Sequence, residues 1–335
     1  MKTYFFTHDS CLKHNAGLQH PERPQRLQSI YDSIRQQNIS LEKRVPYKAC
    51  SEHLTLAHSD EHVKRVLDTS GKSTSFDADT KTNESSVDAA LYAAGACIES
   101  VDLVLQNPAT TTFCAVRPPG HHAESNRAMG FCLFNSAAVA AAYAIKHKNL
   151  QRVLIFDPDV HHGNGSQEIF YKRRDVFYTS IHQYPHYPGT GAVSETGEGA
   201  GLGYNLNFPL RSGEGDDTYI YLAQNAILGI IKNFQPQLII FSAGFDSHKL
   251  DPLANMEVTS LGFCQMYTVI MHYVLEQKIP FFYTLEGGYS LEGLSSSTTL
   301  LLETITTENW PRIPQVKPSA YVESLVEKHS KTFKL

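Results

Sequence analysis

The feature that most constrains this chain is the junction Val153-Leu-Ile-Phe-Asp-Pro-Asp-Val-His-His-Gly-Asn-Gly165. The apolar run Val153 to Phe156 has the length and residue types of a buried strand, and it stops at a polar cluster. Side chains alternate faces along an extended chain, so Asp157, Asp159 and His161 point the same way. Two carboxylates and an imidazole at the carboxyl end of a strand make a candidate divalent-metal site. Gly163 and Gly165 then permit a tight turn into a following helix. The plain alternative is a polar loop that happens to be rich in Asp and His. A single such residue would leave that alternative standing; three on one face weigh against it.

The same alternation of apolar strand and helix runs through the chain. The N-terminus, with Tyr4-Phe5-Phe6, reads as a first strand. Pro24 suits the first turn of a helix that carries Leu27, Ile30, Tyr31 and Ile34 at helical spacing. Its approach, with His20, Glu22 and Arg23, reads as a solvated loop. Ser59 or Asp60 caps a helix with Val63, Val66 and Leu67 on its apolar face. His58 and His62 stand four apart but lack a third ligand nearby, so they read as surface histidines. Residues 68–86 form a long polar loop, and 87–105 an Ala-rich helix.

A β-branched strand, 110–116, runs into Arg117-Pro-Pro-Gly-His-His-Ala-Glu124. Adjacent His121 and His122 do not share a face in regular structure, so they can do different jobs. Residues 136–147 read as a short buried helix and 216–233 as another helix. Further strands fall at 176–181, 204–208, 238–241 and 281–285. The glycines between 191 and 203 do not open a helix and lack a Lys-Ser/Thr, so they form a loop and not a phosphate cradle. Asp246 lies just past the strand at 238–241. Gly287 and Gly288 leave little bulk before Tyr289, which lets the phenol swing toward a site.

Strands alternating with helices predict an α/β fold, with a central, mostly parallel sheet flanked by helices. Polar clusters recur after four strands, at 117–124, 157–164, 246 and 286–289. Their convergence along one sheet edge is what an active site in such a fold requires. Because the clusters span most of the chain, residues 1–335 are expected to form a single domain.

Composition removes several classes of function. A net charge of -5 gives no electrostatic case for nucleic acid. No apolar run reaches membrane-spanning length, and the apolar run at the N-terminus is too short for a signal peptide. The six cysteines are scattered with no CxxC spacing, so they read as reduced thiols, mostly in the core. A cytoplasmic protein is expected, with no membrane partner.

The residue types favour metal-assisted amide hydrolysis. A divalent ion with an open position polarises a carbonyl and lowers the pKa of water. A His accepts a proton and passes one to a leaving amine. A phenol, neutral at pH 7, donates a hydrogen bond to a developing oxyanion. No Gly-x-Ser-x-Gly elbow supports a serine nucleophile.

At these residues the chain resembles the zinc-dependent histone deacetylase and acetylpolyamine amidohydrolase superfamily, in its class II and bacterial-type branch. The matching pieces are HPERPQRL at 20–27, RPPGHHAE at 117–124, GFCLFN at 130–135, DPDVHHGNGS at 157–166, SIHQYPHYPGTG at 180–191, SAGFDSHKLDPL at 242–253 and EGGY at 286–289. The resemblance implies the arginase/deacetylase fold over a single deacetylase catalytic domain. It implies Asp159, His161 and Asp246 as Zn2+ ligands, His122 as general base and acid, His121 as its electrostatic helper, and Tyr289 as the oxyanion donor. Asp157 and Asn164 would orient His121 and His122; Asn164 is an amide where some relatives carry Asp. Gly130, Phe131, Tyr187 and Leu253 would line the substrate tunnel. A structural potassium would be held by Asp157, Asp159, His161, Ser180 and Ile181, the second, third and fifth through their carbonyls.

Two departures bear on this expectation. Pro158, with fixed φ and no N–H, stands between Asp157 and Asp159 where a large apolar residue is usual. Leu253 stands where a polyamine-selective relative carries Glu. The expected partner is therefore an acetylated lysine in a protein or peptide, with release of acetate. The alternatives are a small acetylated polyamine as substrate and, from another class, a catalytically weak acyl-lysine-binding module.

Overall fold

The computed structural model describes residues 1–331, 333 and 335. Among the described residues ten strands occur: β1 Lys2–Phe6, β2 Glu42–Arg44, β3 Thr74–Ser75, β4 Lys81–Thr82, β5 Thr110–Cys114, β6 Val153–Asp157, β7 Val176–Gln183, β8 Asn205–Leu210, β9 Leu238–Ala243 and β10 Phe281–Leu285. Eight of them make one sheet in the order β2-β1-β5-β10-β9-β6-β7-β8. Every pairing within it is parallel. β3 and β4 form a separate antiparallel pair inside the long polar segment after residue 68.

The six strands from β5 to β10 are buried at every residue. Helices cover both faces of such a parallel sheet, so its strands carry continuous apolar runs and not an alternation. The helices are stopped and started by local chemistry. Helix Ser136–Lys148 opens where the Asn135 side chain accepts from Ala138 N, carries Lys146, His147 and Lys148 in its last turn, and ends at Asn149 in the left-handed region. Its buried alanines allow close approach to helix Ser86–Gln106 and to β6. Helix Leu291–Thr307 opens at Ser290, whose side chain accepts from Gly293 N. Thus Tyr289 sits immediately before a capped helix start.

The structure departs from the sequence expectation in several elements. Residues 216–234 are helical but pass through a π turn at Ala223–Ile227. Helix Ser260–Glu276, which periodicity does not reveal, is buried at most of its positions, so no polar stripe marks it. Pro158 leaves the strand intact: β6 ends at Asp157, so no ladder bond is lost there. The next two amides are taken up by side chains, Asp159 N donating to Asp157 Oδ1 at 3.2 Å and Val160 N to Asp246 Oδ1 at 2.7 Å.

All six cysteines are free, and only Cys50 is exposed. Among the described residues no helix is long and apolar enough to cross a membrane.

Candidate active site

The strands β5, β10, β9, β6 and β7 are consecutive neighbours in the sheet. Their carboxyl-end loops therefore lie side by side, and they carry His121 and His122, Tyr289, Asp246, Asp159 and His161, and Tyr187 respectively. Asp159, His161 and Asp246 each offer a ligand atom within 4.8 Å of the others, and all three are buried. His161 Nδ1 lies 3.2 Å from Asp159 Oδ1 and 3.1 Å from Asp246 Oδ2. Main-chain amides hold the carboxylates: His161 N donates to Asp159 Oδ1 at 2.9 Å, and Gly287 N to Asp159 Oδ2 at 2.7 Å.

The charges of this cluster fit a divalent cation. Burial and Asp159 push the Asp246 carboxyl up to about 7. Burial opposes charge on His161, but Asp159 and Asp246 outweigh it and raise the imidazole to about 10. Two buried carboxylates thus draw a positive charge to the spot between them. A hard or borderline metal ion accepts this mixed oxygen and nitrogen donor set. Gly287 makes room for it, since a Cβ there would lie 2.5 Å from Asp159 Oδ2 and 2.8 Å from Asp246 Cγ.

The two adjacent histidines have different surroundings. His121 Nδ1 donates to Asp157 Oδ2 at 3.0 Å, and Asp157 also accepts from the Tyr178 hydroxyl at 3.0 Å. Burial disfavours charge on His121, yet Asp159 and Asp157 raise its pKa well above the ordinary value. His122 Nδ1 lies 2.8 Å from Asn164 Oδ1. Burial, then the charge on His121 and His161, lowers the His122 pKa well below the ordinary value. One imidazole is therefore held as a cation and its neighbour as a neutral base. The Glu286 carboxylate ties this loop to β10, accepting from Gly120 N at 2.6 Å and His121 N at 3.1 Å.

A narrow cavity of about 220 Å³ leads to these groups. Asp79, His122, Gly130, Phe131, His161, His186, Tyr187, Leu253 and Tyr289 line it. Gly130 has φ +57°, and a Cβ there would lie 2.6 Å from His122 Cγ, so glycine lets the wall close on the imidazole. Phe131 stands edge-on to Tyr289 with ring centroids 5.8 Å apart. Burial raises the Tyr289 pKa well above its ordinary value, so the phenol keeps its proton. A larger groove, about 660 Å³, lies at the amino ends of β6 to β8 against Arg152, Phe177 and Phe234, remote from this chemistry.

Several residues at the site escaped the sequence reading. Glu22 is not solvated but fully buried. It pairs with Arg117, with Arg26 at 3.2 Å and with His14 at 3.2 Å. Arg26 donates from Nε to Gly288 O at 2.6 Å and from Nη2 to Glu286 O at 2.5 Å, and its guanidinium lies 4.8 Å from the Tyr289 ring centre. Pro21 and Pro24 on either side of Glu22 and Arg23 give the stretch the composition of a solvated loop, although an ion cluster lies beneath it. Asp251 Oδ2 accepts from Tyr289 N at 2.6 Å and Ser290 N at 3.1 Å, fixing the start of the last loop. His186 packs flat on His161 with ring centroids 5.1 Å apart.

His58 and His62 are also buried, against expectation. His58 donates from Nδ1 to Glu124 O at 2.9 Å and accepts from Asn135 N at 2.9 Å; His62 Nε2 donates to Leu133 O at 2.9 Å. They satisfy the irregular backbone of residues 124–135, whose polar groups have no ladder. In the polar stretch after residue 68, Asp77 is used locally, its Oδ1 accepting from Asp79 N and Thr80 N. Asp79 reaches the cavity mouth.

The chain matches the model of the Histone deacetylase domain over residues 20–305. A probable deacetylase of Archaeoglobus fulgidus is 37% identical over 306 residues, which cover 90% of this chain and 85% of that protein. Histone deacetylase 15 of Arabidopsis thaliana is 41% identical over 298 residues, 87% of this chain and 53% of that protein. This chain thus spans about half the length of that plant relative. The crystal structure of the HDA15 HD domain matches with a TM-score of 0.90 at 36% identity, covering 99% of this chain and 94% of that one.

Proposed function

Because this chain belongs to the histone deacetylase family, we propose that its single catalytic domain, residues 1–335, is a zinc-dependent hydrolase of acetyl-lysine. Acetyl or another short acyl group would leave the side chain of a protein or peptide as its free acid. The observation that carries the reading is one narrow cavity with His122, His161 and Tyr289 at its lining and Phe131 and Tyr187 as walls. Such a shape takes a thin aliphatic stem ending in an amide.

Asp159, His161 and Asp246 would hold the zinc ion, which when bound supplies Lewis acidity for the carbonyl and makes water acidic enough to attack at neutral pH. His122, neutral and bonded through Nδ1 to Asn164, takes the attacking water's proton at Nε2 and passes it to the leaving amine. His121 stays cationic against Asp157 and offsets the negative charge that develops nearby. The Tyr289 phenol donates to the oxyanion. Asp157 and Ser180, with the carbonyls of Asp159, His161 and Ile181, would hold a structural potassium. Asp79 would receive substrate backbone amides at the mouth.

Leu253 favours lysine over polyamine, because an apolar wall gives a cationic chain no partner. Asp79 at the mouth favours the second reading, an acetylpolyamine, since its carboxylate attracts ammonium groups. Turnover of an acetyl-lysine peptide and of N-acetylputrescine by the purified protein separates the two. Activity with the peptide, lost to a chelator and regained with zinc, is expected. A protein that binds the peptide and never releases acetate, whatever metal is supplied, would instead be an acyl-lysine-binding module.

A further inference from the structure

Beyond the histidines lies a carboxylate that the mechanism above does not use. Glu124 Oε1 accepts from Asn164 Nδ2 at 2.7 Å. Asn164 Oδ1 in turn lies 2.8 Å from His122 Nδ1. The three side chains form one chain of hydrogen bonds running outward from the cavity. Glu124 is half-buried and does not line the cavity. Its backbone is pinned on both sides: its N donates to Arg127 O at 2.9 Å, and its O accepts from His58 Nδ1 at 2.9 Å.

The chemistry of these groups has a direction. An ionised carboxylate only accepts, so it must face the NH2 end of the Asn164 amide. The amide oxygen is then turned to His122, and only a ring that carries its proton on Nδ1 can donate to it. The lone pair is left on Nε2, where a general base needs it. Without an acceptor beyond it, Asn164 is free to turn over. Its NH2 would then face Nδ1 and select the Nε2–H tautomer, which cannot take a proton from water. The other neighbours of Asn164 Nδ2 are weaker anchors, Met129 Sδ at 3.3 Å and His122 O at 3.5 Å.

We infer that Glu124 is a positioning residue that sets the tautomer of His122 through the orientation of the Asn164 amide. The inference rests on the reading of His122 as general base, and it extends that reading by one residue.

The test is a cycle of variants in the zinc-loaded protein. Glu124→Met keeps bulk and removes the acceptor. It should lower kcat about 10-fold, the low end for a group that orients a catalytic one, with KM unchanged because Glu124 is outside the cavity. Asn164→Asp presents an acceptor to His122 in either orientation, but sets a second carboxylate against Glu124, and should also cost about 10-fold. Glu124→Gln with Asn164→Asp lets the new amide donate to the new carboxylate, and should return kcat to within about 3-fold of the parent. Glu124→Gln alone keeps an acceptor for Asn164 Nδ2, so uncoupled sites would instead leave the double variant with the whole loss of Asn164→Asp, about 10-fold. Nitrogen-15 spectra of His122, assigned by the His122→Ala difference, should show an Nδ1–H tautomer in the parent and its loss in Glu124→Met.

Parental kcat in Glu124→Met, an unrescued loss in the double variant, or an Nε2–H tautomer in the parent would each overturn the inference. Should a variant fail to fold, the parent spectrum decides alone. If His122→Ala retained full activity, the underlying reading would fall instead, and the cycle would be distinguishable from that failure.

Discussion

Replacing Gly287 by Ala should disarm the site while leaving the fold standing. A Cβ at this position would lie 2.5 Å from Asp159 Oδ2 and 2.8 Å from Asp246 Cγ, with Asp246 Oδ2 closer still. Ordinary contact begins near 3.5 Å, so the carboxylates must retreat by about 1 Å. Neither can do so freely. Asp246 Oδ1 holds Val160 N at 2.7 Å, and Asp159 Oδ2 holds the Gly287 amide itself at 2.7 Å. A metal site tolerates shifts of about 0.2 Å in its ligand distances, and a misplacement of about 1 Å at a reacting centre costs about 100-fold in rate. The expected result is a protein whose bound zinc, measured by mass spectrometry after dialysis, falls well below one per chain. Its kcat/KM on an acetyl-lysine peptide should fall by about 100-fold or more. Overpacking should lower stability by only about 1–3 kcal/mol, so the thermal transition should remain cooperative. Full zinc content together with parental turnover in this variant would refute the argument that the loop after β10 is shaped around the two acids.

Tyr289→Phe should cut kcat by about 100- to 1,000-fold, the worth of one oxyanion donor, with zinc content unchanged; turnover near the parent's would take the phenol out of the chemistry. Glu22→Ala should cost about 3–5 kcal/mol in urea unfolding, because it strands the buried Arg117 and Arg26 without a counter-charge. Burial opposes ionisation of Glu22, but Arg117, His14 and Arg26 outweigh it and hold the carboxyl well below its ordinary 4.5. Its contribution is therefore present above about pH 4.5 and fades as pH falls toward the folded value, so acid unfolding should be less steep in Glu22→Gln than in the parent. Leu253→Glu should shift preference toward N-acetylputrescine by roughly 5-fold, the worth of a partly exposed ion pair, read as the ratio of kcat/KM for the two substrates.

The sheet was visible in the sequence because parallel strands buried on both faces are written as apolar runs, and those of β6, β7 and β9 end at Asp157, His182 and Gly244. Two of the candidate metal ligands were visible for the same reason: alternation past a strand end puts Asp159 and His161 on one side, while Asp157, read with them, turns instead to His121 and Tyr178. Asp246 and Tyr289 needed the topology, since only the order of β10, β9 and β6 brings their loops together. The histidines at 58 and 62 were misplaced because a Ser-Asp-Glu helix start looks solvated, while their true partners are backbone atoms of a distant loop. Glu22 and Arg26 were obscured likewise, for a buried ion cluster has the composition of a surface. Helix Ser260–Glu276 left no period to read, being buried at most of its positions.

β10 is the last strand made and yet lies inside the sheet, between β5 and β9. Without it no strand pairing joins β2-β1-β5 to β9-β6-β7-β8. His121 and His122 follow the first part, and the candidate metal-holding acids Asp159 and Asp246 follow the second. Residues 281–285 act as a keystone, and the loop that follows brings the phenol with it. Only its insertion makes one continuous sheet edge of the loops that carry His121, His122, Asp159 and Asp246.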